Sequence, residues 1–97
     1  MADPVDVTIK DNPDESRYEA IVDGQVAGIA EYRLEGPRIV LQHTEVDDAY
    51  EGKGVGSRLA RGVLDAARSR DLRVVPVCPF MTSYIKRHEQ YADLVDS

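Results

Sequence analysis

The sequence is organised around one stretch, Tyr50-Glu51-Gly52-Lys53-Gly54-Val55-Gly56-Ser57-Arg58. Its three alternating glycines allow positive φ angles and let backbone N–H groups approach another molecule without a Cβ in the way. A helix is predicted to begin here, over residues 57–70. Its N-terminus would present unpaired amides and the positive end of the helix dipole, which favour phosphate oxygens. Since Lys53 and Arg58 add positive charge, we expect an anion site; a flexible surface loop is the alternative.

Two common phosphate-binding motifs do not fit this stretch. A P-loop ends in Gly-Lys-Ser or Gly-Lys-Thr, whereas Lys53 lies early in the loop. In a dinucleotide-binding fingerprint the third glycine would come one residue later than Gly56, and an acidic residue would follow the βαβ unit at a set distance. Neither nucleotide motif therefore explains the three glycines.

The residues before this stretch predict four antiparallel strands, because polar and apolar residues alternate between turn signals. The predicted strands cover residues 5–10, 16–23, 25–34 and 38–46. Asp11-Asn12-Pro13-Asp14, Asp23-Gly24 and Glu35-Gly36-Pro37 separate them. One face is expected to carry Tyr18, Ala20 and Val22 of the second strand and Val26, Gly28, Ala30, Tyr32 and Leu34 of the third. In the fourth strand, Ile39, Leu41, His43 and Glu45 are expected on one face and Val40, Gln42, Thr44 and Val46 on the other.

The residues after the stretch predict a helix, a strand and a second helix. The first helix carries an apolar stripe of Leu59, Ala60, Val63, Leu64, Ala66 and Ala67, and Gly62 could permit its close approach to the sheet. Residues 73–77 form a short strand, parallel to the fourth because a helix connects the two. Pro76 lacks an amide donor, which fits a strand that diverges from its neighbour here.

Residues 79–88 form the second helix, with Pro79 at its first position and Phe80, Tyr84 and Ile85 as packing residues. A short turn of helix or strand is expected over residues 91–95. The fold class is therefore α/β (α+β): a four-strand antiparallel meander, a helix, a parallel fifth strand splayed from the fourth, and a C-terminal helix.

Composition limits the kind of protein. A chain of 97 residues predicts one domain over residues 1–97. Its net charge of −6 argues against nucleic acid as a partner, although eight of the twelve basic residues lie between Lys53 and Arg87. A single cysteine excludes an intrachain disulfide and favours a reducing compartment. No apolar run approaches the roughly 20 residues of a membrane span and the acidic N-terminus is not a signal peptide, so we expect a cytoplasmic protein without membrane partners. No metal is expected.

The glycine stretch resembles the acyl-CoA pyrophosphate loop of the GNAT N-acetyltransferase superfamily, Q/R-x-x-G-x-G/A. It aligns as Glu51-Gly52-Lys53-Gly54-Val55-Gly56, and Glu51 departs from the usual Gln or Arg. The order of predicted elements also matches that fold. The tail Pro76-Val77-Cys78-Pro79-Phe80 with Tyr84-Ile85-Lys86-Arg87-His88 resembles very small GNAT proteins of about this length.

This resemblance implies acetyl-CoA (coenzyme A) as the cofactor, with its pantetheine arm entering between the fourth and fifth strands. It assigns cofactor contacts to Glu51, Gly52, Lys53, Gly54, Val55, Gly56, Ser57 and Arg58, and to the backbone N–H of about Val46. Lys86 and Arg87 could meet the 3′-phosphate or the adenine, with a solvated helix end as the alternative.

Acetyl transfer to an amine needs a deprotonated nucleophile, a donor for the developing oxyanion and a proton for the leaving thiolate. The resemblance assigns the oxyanion contact to the Val46 amide and thiol protonation to Tyr84. Cys78 precedes a helix N-terminus, which lowers a thiol pKa, and the resemblance makes it a proton donor or an acyl-accepting nucleophile. His43 could face Cys78 as a base, and Glu45 is a second candidate base.

Each of these side chains also has a structural interpretation. Cys78 could be a buried inert thiol, His43 a histidine satisfied within the sheet, Glu45 a solvated carboxylate and Tyr84 a packing residue.

Larger GNAT proteins wall the acceptor site with two helices between the first and second strands, whereas residues 11–15 alone bridge them here. A bulky acceptor, such as a protein N-terminus or a lysine, or completion of the site by a second subunit would fit. The expected function is therefore acetyl-CoA-dependent N-acetylation of an amine on a small molecule, peptide or protein, by a monomer or weak homodimer. The alternatives are a non-catalytic acyl-CoA-binding module and a small interaction protein whose loop binds a nucleotide or another anion.

Overall fold

Five strands form one sheet whose spatial order follows the chain. The structure, a computed structural model, describes residues 6–96. Strands β1 (Thr8–Asn12), β2 (Arg17–Val22), β3 (Gln25–Glu35) and β4 (Arg38–Val46) pair antiparallel, and β5 (Arg73–Pro76) pairs parallel to β4. Helix α1 (Val55–Ser69) joins β4 to β5, and α2 (Pro79–Arg87) follows β5. The predicted α/β fold, with its antiparallel meander and parallel fifth strand, is confirmed.

Both helices pack on the same face of the sheet. The stripe of α1 buries Leu59, Ala60, Val63, Leu64 and Ala67 in one cluster with the inward side chains of the strands. A Cβ on Gly62 would lie 2.7 Å from Ile9 Cγ1, so glycine here lets α1 approach β1 closely, as predicted. Helix α2 adds Met81, Tyr84 and Ile85 to the same core; of these, the sequence pattern did not single out Met81.

The first strand lies later in the chain than predicted. It covers Thr8–Asn12, and the expected Val5 lies outside the described residues. Asp11 and Asn12 were expected to break the strand, but they pair with Tyr18 and Arg17 of β2. Their side chains are engaged across the sheet, since Asp11 Oδ1 accepts a 2.7 Å hydrogen bond from Tyr32 and Asn12 donates to Glu19 at 3.0 Å. A 3-10 turn over Pro13–Glu15 then leads into β2.

Two β-bulges change which side chains share a face. In β3 the extra residue is Ala27, which is fully buried, so Val26 moves to the opposite face and is 43% exposed. In β4 the extra residue is Gln42, because Glu31 pairs with His43 while Tyr32 pairs with Leu41. The predicted faces of these strands were therefore wrong beyond each bulge, since an extra residue reverses the alternation. Leu34, also expected inside, is 48% exposed near the end of β3.

The bulge at Gln42 sets the two sides of the site. Thr44 and Val46 lie on the same face as Leu41, toward the helices, because they pair with the inward residues Ala30 and Gly28. His43 and Glu45 lie on the opposite face, which neither α1 nor α2 covers.

The C-terminal residues return to the edge of the sheet. A 3-10 segment over Glu89–Leu94 buries Tyr91 and Leu94, and Val95 forms a parallel bridge with Val74 of β5. This segment agrees with the predicted short turn over residues 91–95. Within residues 6–96, no helix combines the length and apolar character that crossing a membrane requires.

Candidate active site

A cleft opens where β4 and β5 part. Their pairing ends at Leu41 and Pro76, and the amides of Val77 and Cys78 both donate to Leu41 C=O, at 3.1 and 3.0 Å. β4 continues to Val46, so the gap between β4 and the chain after β5 widens beyond Pro76. The missing amide donor of Pro76 predicted this divergence. Val77, predicted within β5, lies beyond its end and is 61% exposed.

The cleft has a volume of about 380 Å³. Its walls come from the end of β4, the glycine stretch, the first turn of α1 and the first turn of α2. They comprise Thr44, Val46, Tyr50, Glu51, Gly52, Gly54, Val55, Gly56, Ser57 and Phe80.

The glycine stretch forms the entrance to α1 and exposes its amides to the cleft. Gly52 and Gly54 have φ of 78° and 77°, in the left-handed region that only glycine adopts readily, and Gly54 is the N-cap of the helix. The helix begins at Val55, two residues earlier than predicted, and Arg58 N–H is the donor to Gly54 C=O at 3.1 Å. The amides that precede Arg58 are the ones an α-helix leaves without an intrahelical acceptor.

Gly56 serves close packing. It lies inside the first turn of α1, where a Cβ would meet Phe80 Cζ at 3.0 Å and Val46 Cγ2 at 3.5 Å. A side chain here would push Phe80 or Val46 out of place. Gly56 therefore lets α1, α2 and β4 meet around the cleft.

The backbone of Val46 directs its N–H toward the gap. Asp47 N–H donates to Ala27 C=O at 2.8 Å, so Gly28 and Val46 form a non-hydrogen-bonded pair of the antiparallel ladder. In such a pair the N–H groups point away from the partner strand. Because β5 has already diverged, the Val46 amide faces the cleft rather than another strand.

Cys78 lies at the N-cap of α2 and is 5% exposed. Its Sγ is 3.5 Å from Thr44 Oγ1 across the gap. Burial raises the pKa of this thiol, but hydrogen bonds from the Thr44 hydroxyl and from the amides of Met81, Phe80 and Thr44 outweigh it. The pKa of Cys78 therefore lies below the usual thiol value.

His43 does not meet Cys78. Its Nε2 is 3.3 Å from Glu45 Oε1, and both side chains are more than half exposed on the helix-free face. The bulge at Gln42 explains this, because it brings Thr44 rather than His43 to the side of the cleft.

The remaining predicted residues lie outside the cleft wall. Tyr84 is buried in the core, its ring stacked on His88 at 3.9 Å, and burial raises its pKa. Lys53, Lys86 and Arg87 are exposed, and Arg58 is half-buried. Of the predicted cofactor contacts, those in the cleft wall are Val46, Glu51, Gly52, Gly54, Val55, Gly56 and Ser57.

Three residues of the cleft wall were not predicted as site residues. Thr44 was hidden by the bulge, Tyr50 is packed against the core at the edge of the cleft, and Phe80 had been interpreted as packing alone. For Tyr50 and Phe80 a signal was present, since each lies within a motif already noted in the sequence.

A second groove, of about 510 Å³, lies near the opposite face where β3 begins and β4 ends. Glu45 and Ile29 line it from that face, while Gly28 and Val46 contribute from the boundary. Val46 thus lines both the cleft and the groove. The base candidate Glu45 faces the groove, and Thr44 faces the cleft.

Several curated proteins share part of this sequence. Protein NATD1 of Gallus gallus and of Homo sapiens are each 43% identical over 58 residues, which is 59% of this chain and 53% and 51% of those proteins. Protein NATD1 of Danio rerio is 33% identical over 67 residues, 66% of this chain and 61% of its own length. The chain thus spans about half the length of the first two relatives.

The fold has a solved counterpart. The NMR solution structure of a GCN5-like protein from Staphylococcus aureus superposes with a TM-score of 0.71 at 25% identity, covering 93% of this chain and 88% of that one. A family model described as GCN5-related N-acetyl-transferase matches residues 17–94. That match covers β2 to the C-terminal 3-10 segment and therefore includes the cleft. This chain belongs to the GCN5-related N-acetyltransferase family.

Proposed function

We propose that the protein transfers an acetyl group from acetyl-CoA to an amine. The observation that carries this proposal is the cleft between β4 and β5, where the free amides of α1 lie at one end and the Val46 amide beside the gap. Family membership supports the same reaction class.

The residues present fit coenzyme A. The positive φ angles of Gly52 and Gly54 keep the loop free of side chains where its amides are exposed, and the helix dipole adds positive potential for a pyrophosphate. Lys53 and Arg58 flank this end of the cleft. We assign Lys86 and Arg87 to weaker contacts, because both are exposed on the last turn of α2.

Acetyl-CoA supplies an acetyl thioester: a C–N bond to the amine forms as the C–S bond breaks, and the CoA thiolate that leaves takes up the proton that the amine loses. We assign to the Val46 N–H a hydrogen bond to the carbonyl oxygen as negative charge develops there. Glu45, with His43 beside it at 3.3 Å, is the base that we assign to the amine.

We assign one of two roles to Cys78: it donates a proton to the leaving CoA thiolate, or it accepts the acetyl group as a nucleophile. Its support is a lowered pKa and its place between Thr44 and the N-terminus of α2. Tyr84, the other candidate acid, is stacked on His88 within the core and would have to move to reach the cleft.

Two measurements test the reaction. Titration with acetyl-CoA and with CoA, followed in amide NMR spectra, should shift Val46 and residues 52–58. Release of the CoA thiol in the presence of an amine panel should reveal transfer. Specific CoA binding without transfer to any amine would refute the reaction and favour a non-catalytic acyl-CoA-binding module; binding of other phosphates but not of CoA would favour an anion-binding interaction protein.

The role of Cys78 has its own test. Cys78→Ala should leave CoA affinity unchanged and lower kcat by about 10²-fold or more, the usual effect of an acid–base group. Mass spectrometry of the wild type with acetyl-CoA and no acceptor separates the roles, since an acetylated Cys78 indicates a nucleophile. Full activity of the variant would exclude Cys78 and leave Glu45, His43 or Tyr84.

A further inference from the structure

The charges that line the groove near the helix-free face indicate which acceptors it would favour. The groove adjoins the cleft at Val46, which lines both. At Gly28 a Cβ would lie 3.0 Å from Glu45 C=O and 3.5 Å from both Val46 Cγ2 and Val55 Cγ1, so glycine here lets β3, β4 and α1 pack closely beside Val46. An amine lying in the groove would therefore approach the end of β4 from the side opposite to the cleft.

The charges that line the groove are mostly negative. Glu45, Asp47 and Asp48 contribute carboxylates, and Arg17 is the basic residue in the lining. Arg17 is already paired, because its Nε lies 2.9 Å from Glu19 Oε2, and Glu19 is 7% exposed. Its guanidinium therefore compensates a buried carboxylate and does little to offset the three carboxylates of the lining.

The short β1–β2 connection leaves the groove open. Only the 3-10 turn Pro13–Glu15 and Ser16 separate β1 from Arg17, so no helix from this connection closes over the lining residues. An acceptor can therefore extend along the groove with parts beyond the reacting amine. Those parts would lie in the field of Asp47 and Asp48.

We propose that the preferred acceptor carries a second positive charge close to the amine that is acetylated. This inference rests on the proposed acetyl transfer and specifies its substrate class. A lysine or N-terminal amine within a basic peptide has such a second charge nearby, and so does an alkyl polyamine. An acceptor with a carboxylate close to the amine is disfavoured, because like charges repel in the groove.

Three amines with the same five-carbon chain isolate the charge: cadaverine, pentylamine and δ-aminovalerate. We expect kcat/KM to fall in that order, by about fivefold or more per step, the size of one partly screened charge pair. The differences should shrink as salt is raised, since screening weakens interactions between exposed charges. A preference for pentylamine or δ-aminovalerate would overturn the inference.

A variant links the preference to the groove. Asp48→Asn should reduce the ratio of kcat/KM for cadaverine over pentylamine, whereas Asp14→Asn, an exposed acid outside the groove lining, should keep the wild-type ratio. An unchanged ratio in Asp48→Asn would contradict the assignment. Lysine peptides flanked by arginine or by glutamate, compared with cadaverine, distinguish a peptide acceptor from a polyamine.

Binding without acetyl-CoA keeps this test separate from the proposed function. Cadaverine alone should shift the amides of Val26, Ile29 and Asp48, and δ-aminovalerate should not. If no amine is acetylated but these shifts appear, the acetyl transfer fails and the cation site stands. If transfer occurs and cadaverine shifts none of these amides, the transfer stands and the cation site fails.

Discussion

At the scale of single residues, Thr44 is the unexpected partner of Cys78. The helix N-terminus before Pro79 was visible in the sequence and indicated a lowered thiol pKa. The hydroxyl of Thr44 was not, because an unbroken alternation along β4 placed His43 on that side. One extra residue at Gln42 exchanged the two side chains. Which side chain faces Cys78 thus depends on a bulge that the sequence pattern of β4 did not predict.

Removing that hydroxyl should raise the pKa of Cys78. In Thr44→Val the thiolate loses one hydrogen-bond donor while burial, which favours the neutral thiol, remains. The thiolate fraction at neutral pH should therefore fall, as seen by ultraviolet absorbance in a pH titration. The signal is unambiguous because Cys78 is the sole cysteine. Thr8→Val, in the exposed part of β1, is the control, and an unchanged pKa in Thr44→Val would mean that backbone amides alone lower it.

Glu19 is a buried carboxylate whose effect on stability should depend on pH. Hydrogen bonds from Asn12 and Arg17 lower its pKa in the folded protein. The stabilisation is therefore present above the unfolded pKa of about 4.3 and is lost as pH falls through the lower folded value. Glu19→Gln should reduce the free energy of unfolding by about 1 to 3 kcal/mol at pH 7.

Urea denaturation at several pH values checks this. The difference between wild type and Glu19→Gln should narrow in acid below about pH 4. Glu15→Gln, an exposed acid of the Pro13–Glu15 turn, provides the control. A difference that stays constant into acid would show that packing, and not the charge of Glu19, accounts for it.

At the scale of elements, Gly54 combines a backbone requirement with the binding role proposed above. Gly24, in the β2–β3 turn, has nearly the same φ, 78° against 77°, and neither would bring a Cβ within 4 Å of another group. Gly54→Ala and Gly24→Ala should each lower stability by about 1 to 2 kcal/mol, the cost of the left-handed conformation. Thermal unfolding measures this shared effect.

The two variants should differ in binding. We expect Gly54→Ala to weaken CoA binding about tenfold, because its amides must be held beside the ligand, and Gly24→Ala to bind as the wild type does. Calorimetric titration with CoA provides the comparison. Equal CoA affinities of the two variants would contradict the assignment of the pyrophosphate to the entrance of α1.

The elements themselves were largely predictable. Alternating residues indicated β2, β3 and β4, the apolar stripe indicated α1, and Pro76 indicated where β5 departs. The boundaries of β1 were wrong because Asp11 and Asn12, residues common in turns, hydrogen-bond to side chains of β3 and β2. Local propensity cannot report a partner that is distant in sequence.

At the scale of the whole molecule, the C-terminal residues fasten the edge of the sheet. Arg73 donates at 2.7 Å to the carbonyls of both Asp93 and Val95, and Asp96 N–H donates to Val74 C=O at 2.9 Å. Arg38 pairs with Asp96 across the same edge. These contacts cover the side of β5 that would otherwise be an open strand edge.

Arg73→Ala should loosen this edge. The Asp96 amide should exchange with solvent roughly tenfold faster, as expected if the lost hydrogen bonds are together worth about 1.4 kcal/mol. Arg33→Ala removes the same charge from an arginine that contacts Glu35 of its own strand, and it should leave that amide unaffected. Hydrogen exchange followed by NMR distinguishes the two. Equal protection in Arg73→Ala would mean that Arg38 and the strand bridge hold the segment without it.

The site as a whole exceeded what the sequence could predict. The glycine stretch, with Tyr50 at its start, could be found because its residues are contiguous, whereas the cleft also needs Thr44 of β4 and Phe80 of α2. The groove near the opposite face depends on both bulges and on the short β1–β2 connection. Such features arise from tertiary packing, which periodicity along one chain does not encode.

The agreement of strand order with chain order has a consequence for folding. Among the described strands, β2, β3 and β4 each pair with the strand that comes just before them, through turns or short connections, whereas β5 pairs with β4 only after α1 has brought the chain back. Such a topology has a lower contact order than one whose strands pair out of chain order, since most pairings close short loops, and a lower contact order accompanies faster folding. During synthesis the four strands of the meander can pair one after another before α1 is complete. The last event would then be the docking of β5, which is also the event that opens the cleft.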